Sequence, residues 1–384
     1  MSVKAETGFS LKDDLFNRET TQLLAESVAE SAAERPGGSN FSAPKLIRTA
    51  GRRFPKLELK ERIFCLVDLL EQQLPSEFPE ALEILRGALP PPLDPELSDD
   101  DFGRFIWVVP GEYVARHGCT EQHLDRSLDF LREATMRFSS ELAIRPFLAK
   151  YPKETLAQVR RWTKDPNYHV RRLASEGIRP LLPWAMRVVL PSKDVVQVLD
   201  QLYRDKTRYV VRSVANNLND MSKLDPDLLL ATLKRWQRRP HPDPAEMRWL
   251  TGHALRSLVK GNHVGALKLL GYPDRPKVDV AGLEYTDQVP VGEALHWRAT
   301  LKSRAKQRLK IFLQVDFLKN DGSHKAKMFT LKDIELQAGE SIELKKRLPF
   351  RPMTTRTLYP GTHFVSLVVN GTISERQSFQ LTLT

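Results

Sequence analysis

Several common catalytic and targeting signatures are missing from this sequence of 384 residues. Its two cysteines, Cys65 and Cys119, have the spacing of neither a disulfide framework nor a thiolate zinc site, which favours a reducing cytoplasm. No P-loop, GxGxxG, HExxH or GxSxG occurs, so we expect no nucleotide cofactor, no metal ion and no hydrolase elbow. No run approaches the ~18 apolar residues of a membrane helix, and the acidic N-terminal segment lacks the apolar core of a signal peptide.

Positive charge is concentrated in the middle of the chain. The formal net charge is +11, and residues 131–272 hold 26 basic against 13 acidic side chains. Residues 1–130 are acidic, with 15 basic and 23 acidic side chains, while residues 273–384 hold 18 and 12. A basic surface of this kind binds the phosphate backbone of nucleic acid, although it is also typical of a solvated face that keeps a protein soluble.

Short segments recur along the basic region. MRFSSELAIRPFL (136–148) matches RRLASEGIRPLL (171–182) at an offset of 34 to 35 residues, and VVRSVANNLND (210–220) follows at an offset of 41. Periods of this length with two helices each are the signature of HEAT-type repeats. We therefore predict an α-helical HEAT-like repeat solenoid over residues 1–272, which would bind DNA and carry the chemistry.

A separate all-β domain is predicted for residues 273–384. Short alternating runs such as LKIFLQVDFLK and HFVSLVVNGTI are separated by turn signals such as NDG and YPG, and six or seven such strands indicate an immunoglobulin-like β-sandwich. Lys325 and Lys327 in a hairpin and Arg356 in a loop are candidate additional DNA contacts. Charged loops are equally often merely solvated, so both alternatives stay open.

Carboxylates inside the basic region are the candidate chemical groups. Glu141 and Glu176 occupy equivalent places in successive repeats, which predicts mid-helix positions on one wall, about 10 Å apart. Such carboxylates stabilise the positive charge that develops on a sugar when a cationic base departs, and they orient water. The alternative is structural, since Arg137 and Arg172 stand four residues before them and would pair with them. Asp220 is a third candidate, with a role at a helix end as its alternative.

The candidate DNA-binding side chains are basic, aromatic or amide groups that the repeats place on one face. In the repeat region they are Arg145, Lys164, His169, Arg171, Arg172, Arg179, Trp184, Arg208, Arg212 and Asn216. For Trp184, packing between repeats is the alternative role, and for the arginines it is pairing with a glutamate.

The segments FSSELAIRPFL, HVRRLASEGIRPLLPWA and VVRSVANNLNDMSK resemble the AlkC-type DNA alkylation-repair glycosylases, relatives of the AlkD group. The resemblance implies a base excision repair enzyme that removes cationic 3-methyladenine and 3-methylcytosine from duplex DNA without a cofactor and without full base flipping. It also implies catalytic roles for Glu141, Glu176 and Asp220, with Trp184 near the lesion. The AlkD group instead uses an aspartate close to tryptophans, so the two groups need not share one chemistry.

Two other functions fit the same composition. A HEAT-repeat scaffold that binds nucleic acid without chemistry needs the same basic groove, and an RNA-binding protein needs similar charge. The repeated glutamates favour the enzyme over both, and we expect it to act as a monomer on alkylated double-stranded DNA.

Overall fold

The computed structural model describes residues 10–35, 40–240, 242–351 and 357–382. Its helices are α1 Leu11–Leu15, α2 Arg18–Ala33, α3 Ala43–Arg53, α4 Leu59–Glu71, α5 Phe78–Gly87, α6 Val108–His117, α7 Leu124–Ala134, α8 Ile144–Lys150, α9 Pro152–Trp162, α10 Tyr168–Glu176, α11 Ser192–Leu202, α12 Arg208–Met221, α13 Pro226–Gln237, α14 Pro244–Lys260 and α15 Val264–Leu269. Its strands are β1 Val278–Tyr285, β2 Gln288–Pro290, β3 Ala294–Ser303, β4 Gln307–Leu318, β5 His324–Leu336, β6 Ser341–Pro349, β7 Gly361–Val369, β8 Thr372–Ile373 and β9 Gln377–Thr382. The helical region followed by a β domain of immunoglobulin type confirms the predicted fold class.

The chain folds into two compact units. One contains the described residues of Met1–Asp225 and Pro240–Ala254, and the other contains Pro226–Arg239 and the described residues of Leu255–Thr384. The last helix ends at Leu269, and α13 and α15 belong to the same unit as the strands. In the part of the chain that the structure describes, no helix has the length and apolar content needed to cross a bilayer.

Helix pairs of the first unit share a turn that their sequences specify. The carboxylate of Asp165 accepts the backbone N–H of Asn167 at 2.9 Å ahead of α10, and Asp205 accepts that of Thr207 at 2.9 Å ahead of α12. The same two aspartates bind Arg132 and Arg171, each from the preceding pair, at 2.6 and 2.5 Å. One acidic side chain therefore shapes the turn and also joins successive pairs.

The local prediction for Glu141 was wrong. Glu141 lies in a turn between α7 and α8 instead of mid-helix, and Arg145-Pro146 stands in the first turn of α8. Proline suits a first helical turn because its missing N–H is not needed there. Arg137 does not pair with Glu141, since its guanidinium donates to the carbonyl groups of Pro90 and Glu133 at 2.6 and 2.9 Å.

The second unit contains two sheets around one apolar core. A three-stranded sheet has the order β1-β3-β6, and a six-stranded sheet has the order β2-β9-β7-β4-β5, with β8 paired to β7. Alternate residues of β3, including Trp297, Ala299 and Leu301, pack with Leu313 and Val365 of the other sheet. The apolar residues that alternate with polar ones along the strands therefore form the core, as the sequence predicted.

Candidate active site

Glu141 lines a small cavity and is held there by one serine and one arginine. Its carboxylate accepts a hydrogen bond of 2.8 Å from the Ser139 hydroxyl and a second bond from Arg172. Arg172 also donates to the Ser139 oxygen at 2.5 Å, so the three side chains form a closed triangle. The Glu141 side chain keeps 24% of its surface exposed, which leaves the carboxylate accessible to a ligand.

Glu176 and Asp220 lie behind Glu141 in a buried charge network. Glu176 accepts bonds of 2.6 Å from both Arg179 and the Ser213 hydroxyl, and it pairs with Arg172 at 3.4 Å. The carboxylate of Asp220 accepts from Arg179 at 2.9 and 3.2 Å. Glu141 and Glu176 thus meet at one guanidinium, that of Arg172.

The charges in this network stabilise one another. Burial alone would raise the pKa of Glu176, but Arg172, Arg179 and Ser213 hold it below its usual value. Burial likewise works against the charge on Arg172, yet Glu141 and Glu176 raise the pKa of that guanidinium above its ordinary range. Glu176 and Arg172 are therefore both ionised at neutral pH, and Arg172 connects the deep carboxylates to the accessible one.

Trp184 stands beside this triangle in an unusual backbone conformation. Its φ is +62°, in the left-handed region that bulky residues rarely adopt, and the residue is 58% exposed. This conformation costs about 1–3 kcal/mol, which surrounding contacts must offset. Residues held in it are concentrated at functional sites. The Lys60 ammonium group donates to the Trp184 carbonyl and so supplies one such contact.

Arg145 supplies further contacts to the segment that carries Trp184. Its side chain is fully buried and donates to the carbonyl groups of Gly177, Arg179 and Met186 at 2.7, 2.8 and 3.0 Å. These carbonyls lie on both sides of Trp184 along the chain, so Arg145 fixes the segment that presents the indole. The expectation that Arg145 contacts DNA does not fit this placement, because its guanidinium is used inside the protein.

Aromatic rings complete the cavity, which measures about 240 Å³. Its lining residues are Phe102, Phe105, Phe138, Ser139, Glu141, Leu142, Arg172, Pro183, Trp184 and Tyr209. The Arg172 guanidinium lies 4.9 Å from the centre of the Tyr209 ring, and Phe102 meets that ring edge-on at 5.6 Å. A carboxylate among aromatic faces suits a planar cation, which is attracted both by the charge and by the π surfaces.

A proline-rich acidic loop, PPPLDPELSDDD at residues 90–101, brings Phe102 to the site. Leu93 donates its backbone N–H to the Met136 carbonyl at 2.8 Å, and Gly103 at φ +71° lies so close to the Arg137 carbonyl that a Cβ would meet the oxygen at 1.8 Å. Only glycine fits there. Asp99 of the same loop pairs with Arg212. No motif or period in the sequence indicates that this loop folds onto the repeats, and so Phe102, Phe105 and Tyr209 were not predicted as site residues.

Three more expected DNA contacts are buried within the repeats. Arg171 donates to both oxygens of the Asp205 carboxylate, at 2.5 and 3.0 Å, and Arg179 lies between Glu176 and Asp220. His169 is 4% exposed and packs against Tyr168, and burial lowers its pKa to about 4. It is therefore neutral at pH 7. None of these three placements fits a phosphate contact, because each group is taken out of solvent by the packing of the repeats.

Several other expected DNA contacts lie at the surface or are partly exposed. Lys164, Lys325 and Lys327 are exposed, and the partly exposed Arg208 pairs with Glu246 at 2.5 Å while lying over the Trp249 ring. Asn216 shares a hydrogen bond of 2.9 Å with His253. Arg356 lies outside the described residues.

Two family models match consecutive parts of the chain. Residues 130–258 match the profile of a family described as DNA alkylation repair enzyme, and residues 279–383 match one described as the C-terminal Ig-like domain of the protein YhaZ. The chain is 33% identical over 374 residues to YhaZ of Bacillus subtilis strain 168, which covers 96% of this chain and 98% of that protein.

A solved structure is similar over nearly the whole length. It is the Pseudomonas fluorescens alkylpurine DNA glycosylase AlkC, bound to DNA that contains an abasic site analog. The TM-score is 0.80 at 32% identity, and the match covers 97% of this chain and all of the other. Both units of the present chain therefore have counterparts in that protein.

Proposed function

The chain belongs to the AlkC-type DNA alkylation repair glycosylases with a C-terminal immunoglobulin-like domain, and we propose that it removes cationic N-alkylated bases from duplex DNA. The substrates proposed are 3-methyladenine and 3-methylcytosine, because alkylation at these ring nitrogens leaves the base positively charged and its bond to the sugar weak. The chain would act as a monofunctional hydrolase of base excision repair, as a monomer and without a cofactor.

The observation that carries this proposal is the accessible carboxylate of Glu141 in a cavity walled by aromatic rings. The electron pair of the bond between C1′ and the base nitrogen passes to the cationic base, which leaves as a neutral molecule. The sugar gains oxocarbenium character, which a nearby carboxylate stabilises. Water then adds to C1′, and the Glu141 carboxylate accepts the proton that the water releases.

The two deeper carboxylates have a different role in this proposal. Glu176 and Asp220 are 4% and 6% exposed, so they reach no substrate in this arrangement. They hold Arg172 and Arg179, and Arg172 in turn orients Glu141 through a hydrogen bond. We assign Glu141 as the catalytic carboxylate, and Glu176 and Asp220 as positioning residues that act through those arginines.

Binding of the duplex is proposed for the exposed groups around the site. Trp184 would contact the sugar or the gap beside the lesion, since an exposed indole stacks on such surfaces. Lys164, Arg208 and Arg212 of the repeats and Lys325 and Lys327 of β5 would contact phosphates. Base release would then need no pocket for a base that is still attached to its strand.

Incubation with methylated duplex DNA tests the proposal. The purified chain should release free 3-methyladenine, identified by chromatography. Glu141→Gln should lower the rate by about a hundredfold or more, in line with what one general base contributes, while the Kd for abasic DNA stays within a few-fold. Glu133→Gln, on the neighbouring α7, serves as the matched control. Binding of DNA without release of any base would support the non-catalytic scaffold instead.

A further inference from the structure

A second cavity lies next to the first and shares Trp184 with it. It measures about 250 Å³ and shares Leu142 and Trp184 with the cavity that contains Glu141. Its remaining lining residues are Lys60, Phe64, Glu112, Ala115, Arg116, Pro146, Ala185 and Met186. Trp184 and Leu142 therefore line both cavities.

Glu112 is the one acidic group among these lining residues, and the proposed reaction does not use it. Its Oε1 atom is buried and has no hydrogen-bond partner among the described residues. The two cations nearby are engaged elsewhere, because Lys60 donates to the Trp184 carbonyl and Arg116 pairs with Asp68 and Glu71. A buried polar atom without a partner costs about 1–3 kcal/mol, so a ligand that satisfies it would be favoured.

The size and walls of the cavity limit what that ligand can be. About 250 Å³ is below the ~300–1,000 Å³ of sites for drug-sized molecules, and it suits a single small ring system rather than a nucleotide. Phe64, Leu142, Trp184 and Met186 provide flat or apolar surfaces. A planar heterocycle with polar groups on one edge would stack on these walls and present that edge to Glu112.

The protonation of Glu112 decides which edge it can bind. Burial raises the pKa of this carboxyl to about 7, although the charges of Lys60 and Arg116 act to lower it. Near neutral pH a large fraction is the acid, whose O–H donates while its carbonyl oxygen accepts. This pair complements the edge of an adenine, where an amino donor stands next to a ring-nitrogen acceptor.

We infer that this second cavity receives the excised base after its bond to the sugar has broken, with Glu112 binding the amino edge of an adenine-type product. The inference rests on the proposed function, since it assigns a destination to the product of that reaction. The base enters as a free, neutral molecule, so no attached nucleotide has to turn out of the duplex.

Binding of free base to the full chain without DNA tests this inference. Isothermal titration calorimetry with 3-methyladenine and with adenine should show saturable binding to the wild type. Glu112→Gln should bind comparably, because an amide also donates and accepts along one edge. Glu112→Leu should bind about tenfold or more weakly, as expected for loss of a bidentate contact to a base. Glu80→Leu, an exposed glutamate on α5, is the matched control and should bind as the wild type.

Two results would overturn the inference: no saturable binding of either base to the wild type, or undiminished binding by Glu112→Leu. Leucine replaces a carboxyl whose buried Oε1 atom has no partner among the described residues, so this variant is expected to fold, and circular dichroism checks it. The readout is independent of catalysis. Release of base from DNA without affinity for free base would refute the receiving site alone, and affinity without release would refute the proposed function alone.

Discussion

Glu176 is a buried and Glu112 a partly buried glutamate of the helical unit, and their surroundings give them opposite properties. Two arginines and a serine surround the Glu176 carboxylate and lower its pKa. Glu112 has no ion pair among the described residues, and burial raises its pKa to about 7. Glu176 thus stays ionised at neutral pH, whereas Glu112 titrates close to it. Only the Glu176 carboxylate has charged and hydrogen-bonding partners that replace the water it has lost.

The raised pKa of Glu112 predicts a pH-dependent stability. Between the ordinary value of 4.5 and about 7, the folded chain keeps a proton that the unfolded chain has lost. The free energy of unfolding should therefore fall as pH rises through this window. Glu112→Gln cannot titrate, so its advantage over the wild type in urea midpoint should be larger at pH 8 than at pH 5. An equal difference in urea midpoint between the two proteins at pH 5 and pH 8 would contradict the raised pKa of Glu112.

At the scale of elements, buried ion pairs join α10, α12 and the segment that carries Trp184. Arg179 follows α10 and chelates Asp220 near the end of α12, and Asp220 also accepts the backbone N–H of Leu181 at 3.3 Å. Asn217 of α12 donates to the Ser175 carbonyl at 2.9 Å. The position of the exposed indole therefore depends on charges that lie below it.

Removal of Asp220 should cost stability as well as activity. Asp220→Ala leaves the Arg179 guanidinium with Glu176 as its remaining carboxylate partner, and breaking a buried ion pair costs about 3–5 kcal/mol. Chemical denaturation measures the loss. The double variant Asp220→Ala/Arg179→Met should lose less than the sum of the single changes, because it leaves no unpaired charge at this position. Asp125→Ala, an exposed residue of α7, should change little. Additive losses would show that the pair is not coupled.

At the scale of the whole molecule, many arginines of the basic region are not available to a polyanion. Arg171, Arg172 and Arg179 are paired with carboxylates, and Arg145 binds carbonyl groups. The net charge of the basic region therefore overstates the number of its side chains that can contact phosphates. The exposed lysines matter more, and Lys325 and Lys327 lie on β5 at one end of the six-stranded sheet. Lysines on such an edge also discourage strand pairing, so their location alone does not establish a DNA contact.

The salt dependence of DNA affinity separates these two roles. If Lys325 and Lys327 bind phosphates, the Lys325→Ala/Lys327→Ala variant should reduce the slope of log K against log salt by about two. Lys268→Ala/Lys306→Ala removes two lysines that pair with Asp274 and Glu335, and it should leave the slope nearly unchanged. An unchanged slope for the first variant would assign its lysines to protection of the edge.

The sequence by itself determined the fold class, because periodicity and repeated segments are local properties of the chain. Specific segments such as HVRRLASEGIRPLLPWA indicated the family through their resemblance to it. The sequence also singled out Glu141, Glu176, Asp220 and Trp184. Only the tertiary structure decided which of these groups is accessible. Several charge partners come from residues roughly thirty to a hundred and ten positions apart, as in Arg172 with Glu141 and Arg212 with Asp99.

Burial separates residues that look equivalent in the sequence. Glu141 and Glu176 match in the repeats, yet one lies in a turn beside a cavity and the other inside a network of arginines. The acidic loop that brings Phe102 to the site and the cavity that contains Glu112 depend on contacts between distant segments. Such contacts leave no period or motif in the chain, since packing in three dimensions, not spacing along the sequence, determines which side chains share a space.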